Sequence, residues 1–413
     1  MGLYKFKPPM SGRMGTLWTL SSIRGAAVIE YGCMGHTLYG RVFLNQAGIW
    51  EGGKLYSTHI DETDIAMGDT SRLSWTIAQV VEQDKPRIIF LLPSSVPEVI
   101  GTDLPALCRE LQPDYPHVPL LPFGCGDFDT NAHRGVQEAL LLLAKTLPVD
   151  MGRTEQRTYN LIGSCADLFR FHADAEEIKR IMKGAFGMEP LCVMTSDTSV
   201  EEMVSMGAAH LNLVIRREGE PCARHLQKRF GTPFVTGRGY GIAGTLDWVR
   251  RIGECSGLEP DREFLAVEEA RSRLQMAPAL PVLEHMLLAH REEAAILLGG
   301  HADVVQGILA YACGELKLQR GPCWCDSPDM GTEQAPYMGE AEWTQAVLGQ
   351  KHGMLMASGE ILEWAGRSQE LQISVPDSKW RLNPYEPPLV GFRGAIHLFS
   401  LWINAFLEQE NNG

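Results

Sequence analysis

The stretch Gly25-Ala-Ala-Val-Ile-Glu-Tyr-Gly-Cys33-Met-Gly-His36 is an apolar, strand-like run that stops at small residues and leaves one cysteine at its end. Runs of this kind alternate with helix-like runs along the chain, and this alternation predicts a parallel α/β architecture. A thiol at a strand end can ligate a metal cluster, but one thiol cannot hold a cluster alone. The functional question is therefore where further ligands would come from.

Length and composition limit the possible classes of protein. The 413 residues suggest two or three domains, and 45% hydrophobic with 21% charged residues is a globular balance. The net charge of −14 argues against a nucleic-acid or anionic-membrane partner. No apolar stretch approaches the ~20 residues that span a bilayer, and the N-terminus lacks the features of a signal peptide. We expect a cytoplasmic protein with no membrane role.

Local motifs give little direct chemistry. Ten cysteines are scattered without a CxxC pair, and most are expected to be reduced and buried. Cys323-Trp-Cys325 could bind a metal or simply lie in a loop, because its spacing fits no common zinc site. The glycine-rich segment 237–244 could be a nucleotide fingerprint, but a turn into a helix is favoured because no clear acidic partner follows. A Walker A pattern is absent, so we expect no ATP site on this chain.

Strand and helix patterns divide the chain into blocks. We predict a first α/β domain over 1–150 that carries the Cys33 segment, a second over 151–277, a third over 278–380, and a C-terminal segment over 381–413 that packs back near a cavity. Asp174 with Glu177, and Thr198 with Glu201, are predicted to open helices as capping boxes. Three stacked Rossmann-like domains are the simplest architecture. The predicted strands are 87–92, 118–121, 159–163, 191–194, 211–215 and 295–298.

Several segments, in order along the chain, resemble those of the nitrogenase component-one family, which includes the molybdenum-iron protein and the dark-operative protochlorophyllide reductase subunits. Residues 25–36 resemble the loop that brings a cluster cysteine to a subunit interface. The other matching segments are Glu62-Thr-Asp64-Ile-Ala-Met-Gly68, Ser94-Ser-Val-Pro-Glu98-Val-Ile-Gly101-Thr-Asp103, Val118 to Phe128, Asn160-Leu-Ile-Gly163, Phe230-Gly-Thr-Pro233 and Gly391-Phe-Arg-Gly394. The resemblance implies the family's fold of three Rossmann-like domains with parallel sheets flanked by helices.

The resemblance also implies a metal site, from which this chain departs. Family subunits usually give three cysteines to an interfacial iron–sulfur cluster, and the matching positions here are Ser11, Cys33 and Val96. Cys33 is therefore the expected metal ligand, and a four-iron four-sulfur cluster would be shared between subunits. A different component-one-type subunit could give three cysteines, or a homodimer could give two Cys33 thiolates. Alternatively, Cys33 is a structural thiol and no cluster binds.

The family's second metal site is altered as well. The cysteine and histidine that hold the large cofactor in molybdenum-iron proteins fall near Ile215 or Arg216, and near Arg381. Arginine cannot replace these ligands, so we expect Arg216 and Arg381, with Arg217, to bind an anionic ligand or substrate in the cavity. Exposed surface arginines are the competing explanation. Cys222 is expected to face the core.

The resemblance implies a catalytic-component subunit of a nitrogenase-like, ATP-dependent reductase. A separate iron protein would bind ATP and pass low-potential electrons through the cluster to an unidentified small-molecule substrate. A maturation scaffold for a cluster or cofactor, and a metal-free binding protein, are the alternatives of the same fold. No catalytic residue is assigned. His36, His301 and His397 are candidate proton donors, and a structural role is favoured for each.

Overall fold

The computed structural model describes residues 10–46, 49, 54–124, 131–367, 370–374 and 387–412. Its strands form three separate sheets, each with four parallel strands, and helices flank them. The predicted class, an α/β protein with three Rossmann-like parallel sheets, is therefore confirmed. Within the described residues, none of the helices combines the length and apolar character needed to cross a membrane.

The first sheet unit has the strand order β2-β1-β3-β4. Its central strand β1 is buried at all six residues, which explains why the sequence there is continuously apolar apart from Glu30. Its strands are β1 (Ala26–Tyr31), β2 (Lys54–Ser57), β3 (Ile88–Pro93) and β4 (Leu120–Pro122). Its helices are α1 (Gly12–Leu20), α2 (Met34–Gln46), α3 (Glu62–Met67), α4 (Ser71–Asp84), α5 (Ser95–Val99), α6 (Leu104–Leu111) and α7 (Ala132–Thr146).

The second sheet unit has the order β6-β5-β7-β8. Its strands are β5 (Thr158–Ser164), β6 (Glu189–Thr195), β7 (Leu211–Val214) and β8 (Phe234–Thr236). Its helices are α8 (Phe171–Phe186), α9 (Val200–Ser205), α10 (Glu220–Phe230) and α11 (Gly241–Ser256). A short 3-10 turn, Arg217–Gly219, lies between β7 and α10. Gly231 ends α10 in the left-handed conformation, as the sequence predicted.

The third sheet unit has the order β10-β9-β11-β12, and two helices lead into it. Those two are α12 (Arg262–Met276) and α13 (Leu280–Ala289). The strands are β9 (Ala295–Gly300), β10 (Gln319–Cys325), β11 (Met354–Ser358) and β12 (Glu370–Ser374). The helices are α14 (Ala302–Leu309), a π-helical turn (Ala310–Glu315), α15 (Glu340–Gly349) and α16 (Gly359–Ala365).

The last helix, α17 (Gly391–Asn412), packs against α8, α11 and α12, so the chain end returns to the second sheet unit. The domain boundaries at residues 150, 277 and 380 stay predictions.

Two glycines set the close approach of α1 and α7. A Cβ on Gly15 would lie 1.9 Å from the carbonyl oxygen of Ala132, and one on Gly135 would lie 1.7 Å from that of Gly12. Any side chain at either position would separate the two helices. This contact fixes the start of α7 beside the start of α1.

Two predicted helix starts are wrong in detail. Helix α8 begins at Phe171 after Arg170, so Asp174 lies inside the helix. Asp174 is buried, pairs with Arg238 and accepts the amide of Leu389, so a tertiary contact explains its carboxylate. Helix α9 does have a capping box, but one residue later than predicted, with Ser199 and Glu202.

Candidate functional site

Cys33 lies at the carboxyl end of β1, directly before α2, and is partly exposed. The neighbouring strand ends hold this turn in place. The amide of Gly32 donates to Thr58 Oγ1 at 3.0 Å, and the amide of Ser94 donates to the Tyr31 carbonyl at 2.9 Å. A Cβ on Gly32 would lie 1.9 Å from Ser94 Oγ, so only glycine fits before the cysteine. The ends of β1 and β3 thus position the thiol.

A buried ion pair stabilises the strand that leads into this turn. Arg13 on α1 donates to Glu30 Oε1 at 2.9 Å, and both side chains are buried. Thr37 on α2 donates to Glu30 Oε2 at 2.9 Å. One carboxylate therefore links α1 and α2 to β1, the strand that ends two residues before the cysteine.

An apolar face of α2 adjoins Cys33. Met34, Leu38 and Val42 follow at four-residue spacing, and 46%, 54% and 54% of each residue is exposed. Tyr39 beside them is 42% exposed. We call Cys33 with this face the Cys33 edge. Contiguous exposed apolar surface of this kind is typical of a protein–protein contact.

The two positions that match the family's other cluster cysteines have different roles here. Ser11 is the N-cap of α1, and its side chain accepts the amide of Met14 at 3.4 Å. Val96 lies in the first turn of α5. Neither residue offers a thiolate. His36 is in the first turn of α2, and its buried Nδ1 has no partner among the described residues.

Arg216 is buried rather than exposed at the surface. It follows β7, is 1% exposed, and donates to Asp167 at 2.7 Å and to Glu218 at 2.8 Å. Arg217 next to it binds Asp303 of α14 through its backbone amide and its side chain. Two carboxylates therefore already surround the Arg216 guanidinium.

Two histidines converge on Glu218. His133 opens α7, and its Nδ1 lies 2.7 Å from Glu218 Oε1 while its Nε2 lies 3.0 Å from Asp326. His301 is the N-cap of α14, and its Nε2 lies 2.8 Å from the same Glu218 oxygen. The residues come from all three sheet units. We call His133, Arg216, Glu218, His301 and Asp326, with Asp167, the three-unit junction.

The charges of the junction shift each other's ionisation. Burial alone lowers the pKa of His133, but the carboxylates of Asp326 and Glu218 outweigh it and raise the pKa to about 10. Burial raises the pKa of Glu218, yet Arg216, His301 and His133 hold it well below its ordinary value. These shifts favour the imidazolium form of His133 and the carboxylate form of Glu218 at neutral pH.

Several further residues were singled out in the sequence. Arg381 and Cys125 fall outside the described residues. His397 on α17 accepts from Arg170 at 2.7 Å, and burial with that neighbouring charge lowers its pKa to about 4. Cys222 is fully buried in the core, as expected, and Cys323 and Cys325 are buried in β10.

Sequence reasoning missed His133, Glu218 and Asp326. Glu218 and Asp326 carry a signal that was available, since each follows closely on a strand of a parallel sheet and so lies at its carboxyl edge. Arg216 and His301 were singled out, but their shared contact with Glu218 was not predicted. The pairing depends on how three units meet, which no single segment encodes.

Two known proteins are similar in sequence to parts of this chain. The chain is 29% identical over 190 residues to a light-independent protochlorophyllide reductase subunit of Jannaschia sp. (strain CCS1), covering 46% of this chain and 36% of that protein. It is 27% identical over 242 residues to the nitrogenase iron-molybdenum cofactor biosynthesis protein NifE of Bradyrhizobium diazoefficiens, covering 55% and 43% respectively. The matches thus span less than half the length of these relatives.

A solved structure and a family model complete the comparison. The structure of nitrogenase Cp1 at pH 6.5 superposes with a TM-score of 0.78 at 16% identity, covering 99% of this chain and 94% of that one, which shows a shared fold. Residues 11–312 match the family model described as nitrogenase component 1 type oxidoreductase. Because this match includes well over half of the sequence, the chain belongs to the nitrogenase component 1 type oxidoreductase family.

Proposed function

We propose that this protein is a catalytic-component subunit of a nitrogenase-like, ATP-dependent reductase, in which Cys33 gives one thiolate to an iron–sulfur cluster shared with a second chain. One observation carries the proposal. Cys33 is a partly exposed thiol at a strand end, beside the exposed apolar face of α2. A metal-ligating thiol at such a face is positioned for a partner chain to supply the remaining ligands of the cluster.

The donor set fits a shared cluster better than a cluster within one chain. Iron–sulfur clusters are generally held by four protein ligands, mostly cysteine thiolates. Ser11 and Val96 supply none, and Cys33 is the one thiol among the described residues at the ends of β1 and β3. A second component-one-type subunit, the same or different, would have to provide the others. The family resemblance implies a four-iron four-sulfur cluster, which takes four such ligands.

The roles of this chain's own residues follow from their geometry. Cys33 would hold the cluster, whose chemistry is one-electron transfer. Glu30 with Arg13 and Thr37 would keep the cysteine turn fixed, because they tie α1 and α2 to the strand that leads into it. Met34, Leu38 and Val42 would exclude water at the subunit contact.

The electron donor would be a separate iron protein that binds ATP, in agreement with the missing Walker A pattern. The substrate would be a small molecule, and an anionic one if Arg216 and Arg381 contact it. The junction around Arg216 would have to open for this, since its guanidinium is already bound by Asp167 and Glu218. We expect the complex to act in the cytoplasm.

A maturation scaffold is the second candidate. The similarity to NifE, a cofactor biosynthesis protein, favours it. A scaffold would release its cluster or cofactor to an acceptor protein, whereas a reductase would keep it through many turnovers.

The test is anaerobic purification of the full chain with its co-purifying partners, followed by iron and sulfide analysis per protomer. We expect Cys33→Ala to lose the cluster iron, and the matched control Cys313→Ala, another partly buried free thiol, to keep it. A full iron and sulfide complement in Cys33→Ala would overturn the assignment. The native mass of the complex then distinguishes a homodimer from a heteromer, and transfer of iron to an acceptor protein would favour the scaffold.

A further inference from the structure

We propose that His133, Glu218 and His301 form a binding site for a single divalent transition-metal ion, of the Zn²⁺ or Fe²⁺ class. The site is separate from Cys33 and does not depend on the proposed function. One ligand atom from each of the three residues lies within 4.8 Å of the other two. Among the described residues this is the one group of three or more such side chains with that spacing.

The carboxylate of Glu218 gives a second, independent indication of a ligand. Its Oε1 is shared by His133, His301 and Arg216, while its Oε2 is buried with no hydrogen-bond partner in the described part of the chain. Glu218 itself is fully buried. A buried carboxylate oxygen without a partner is costly, and native structures seldom leave one without a water or an ion. An ion between the two rings would bind this carboxylate.

The surroundings also suit a metal. Asp326 lies 3.0 Å from Nε2 of His133, on the opposite side of the ring from Glu218. A carboxylate behind a ligating histidine is the usual outer-sphere partner, since it orients the ring and leaves the other nitrogen facing the metal. His133 is therefore already held with Nδ1 towards Glu218, and an ion there would replace the contact that Nη2 of Arg216 makes with this nitrogen at 3.3 Å.

The charge balance favours a cation. Four carboxylates, those of Asp167, Glu218, Asp303 and Asp326, meet two guanidinium cations, Arg216 and Arg217, so the groups other than the histidines carry a net charge of 2 − 4 = −2. A divalent ion held by two neutral imidazoles adds +2 and makes the group neutral. An ion on Nε2 of His301 would leave the ring proton on Nδ1, so Nδ1 could no longer accept the amide of Asp303. This 3.2 Å helix-cap bond is weak beside a metal–imidazole bond.

The donor atoms set the class of ion. Two imidazole nitrogens and one carboxylate favour Zn²⁺ or Fe²⁺ over Mg²⁺ and Ca²⁺, which prefer oxygen ligands. Three protein ligands leave a fourth position for water or a small anion. Because each ligand belongs to a different sheet unit, the ion would also link the three units to each other.

The experiment uses the full chain carrying Cys33→Ala, so that cluster iron does not contribute to the metal count. The protein is treated with a chelator, and Zn²⁺ and Co²⁺ are added separately at equal concentrations. We expect one ion bound per chain, Co²⁺ absorption bands of a site with nitrogen and oxygen ligands, and a rise in Tm with Zn²⁺. Mg²⁺ at the same concentration should cause no rise.

Variants then assign the ligands. Glu218→Gln and His133→Asn should lose the bound ion, and Asp326→Asn should weaken binding by about 10- to 100-fold. Asp174→Asn, which disrupts another buried ion pair of the second sheet unit, is the matched control and should still bind one ion. Absence of a stoichiometric ion in the parent chain overturns the proposal even if a variant fails to fold, and so does undiminished binding in a folded Glu218→Gln or His133→Asn chain.

Discussion

The Cys33 edge and the three-unit junction both lie at strand ends, but their side chains differ in polarity and in burial. Cys33 is partly exposed and adjoins apolar side chains that are about half exposed. Arg216 and Glu218 at the junction are fully buried and bound by several charged groups. In the proposed function the edge is completed by another chain, whereas the charges of the junction are paired largely within this chain.

This difference separates two kinds of energetic role. Removing a side chain from the edge should change assembly and cluster binding while leaving the fold intact, because solvent already reaches these residues. Removing one partner from the junction should change the fold, because a buried charge would be left without its counterion. Substitutions in the two regions should therefore differ most in their effect on the free energy of unfolding.

Arg216→Ala should cause the largest loss. It would leave the buried carboxylates of Asp167 and Glu218 without their shared cation, and breaking such a pair typically costs about 3–5 kcal/mol. Urea unfolding followed by far-UV circular dichroism measures the change. Arg24→Ala is the matched control, because its ion pairs with Asp197 and Glu202 are about half exposed and should each contribute about 1 kcal/mol or less. Equal losses in the two variants would contradict the contrast.

Gly135→Ala should come next. A Cβ there would lie 1.7 Å from the Gly12 carbonyl, so α1 and α7 must separate, at a cost of about 1–3 kcal/mol or more. Gly35→Ala, in α2 beside Cys33, has no atom within 4 Å of the new Cβ and should stabilise the helix by about 0.5–1 kcal/mol. Thermal unfolding of the two variants gives the comparison. A stability of Gly135→Ala equal to that of the parent chain would mean that the two helices are not in close contact.

The fold could be predicted from the sequence to a large extent, and the two sites only in part. Buried parallel strands are continuously apolar, so strands such as β3 and β9 can be recognised in the sequence without any tertiary information. Cys33 could be singled out because its strand ends beside it. His133 and Glu218 are 85 residues apart, and only the packing of separate units brings them within 2.7 Å. The helix-cap prediction for Asp174 was wrong for the same reason, since its partner Arg238 lies in a distant segment.

His397 tests a partly buried polar contact that belongs to neither region. Its pKa is lowered from 6.5 to about 4 in the folded protein, so the unfolded chain takes up a proton first as the pH falls. The contribution of neutral His397 to the free energy of unfolding is therefore complete above about pH 6.5 and is lost as the pH falls to about 4. Between about pH 7 and pH 5 we expect a loss on the order of 1–2 kcal/mol. His397→Gln should reduce that slope in urea unfolding, and an unchanged slope would show that other groups cause it.

Leu38→Asp should have the smallest effect on folding and a clear effect on assembly. Leu38 is 54% exposed on the apolar face of α2, so a carboxylate there stays hydrated in the separate chain and should change its stability by about 0.5 kcal/mol or less. In a subunit contact the same carboxylate would be buried without a partner and should prevent association. Native mass spectrometry and sedimentation would show the oligomer replaced by the single chain. Leu274→Asp, at a 75% exposed site on α12, is the control and should leave the oligomer intact. An oligomer that survives Leu38→Asp would move the subunit contact, and with it the shared cluster, away from the Cys33 edge.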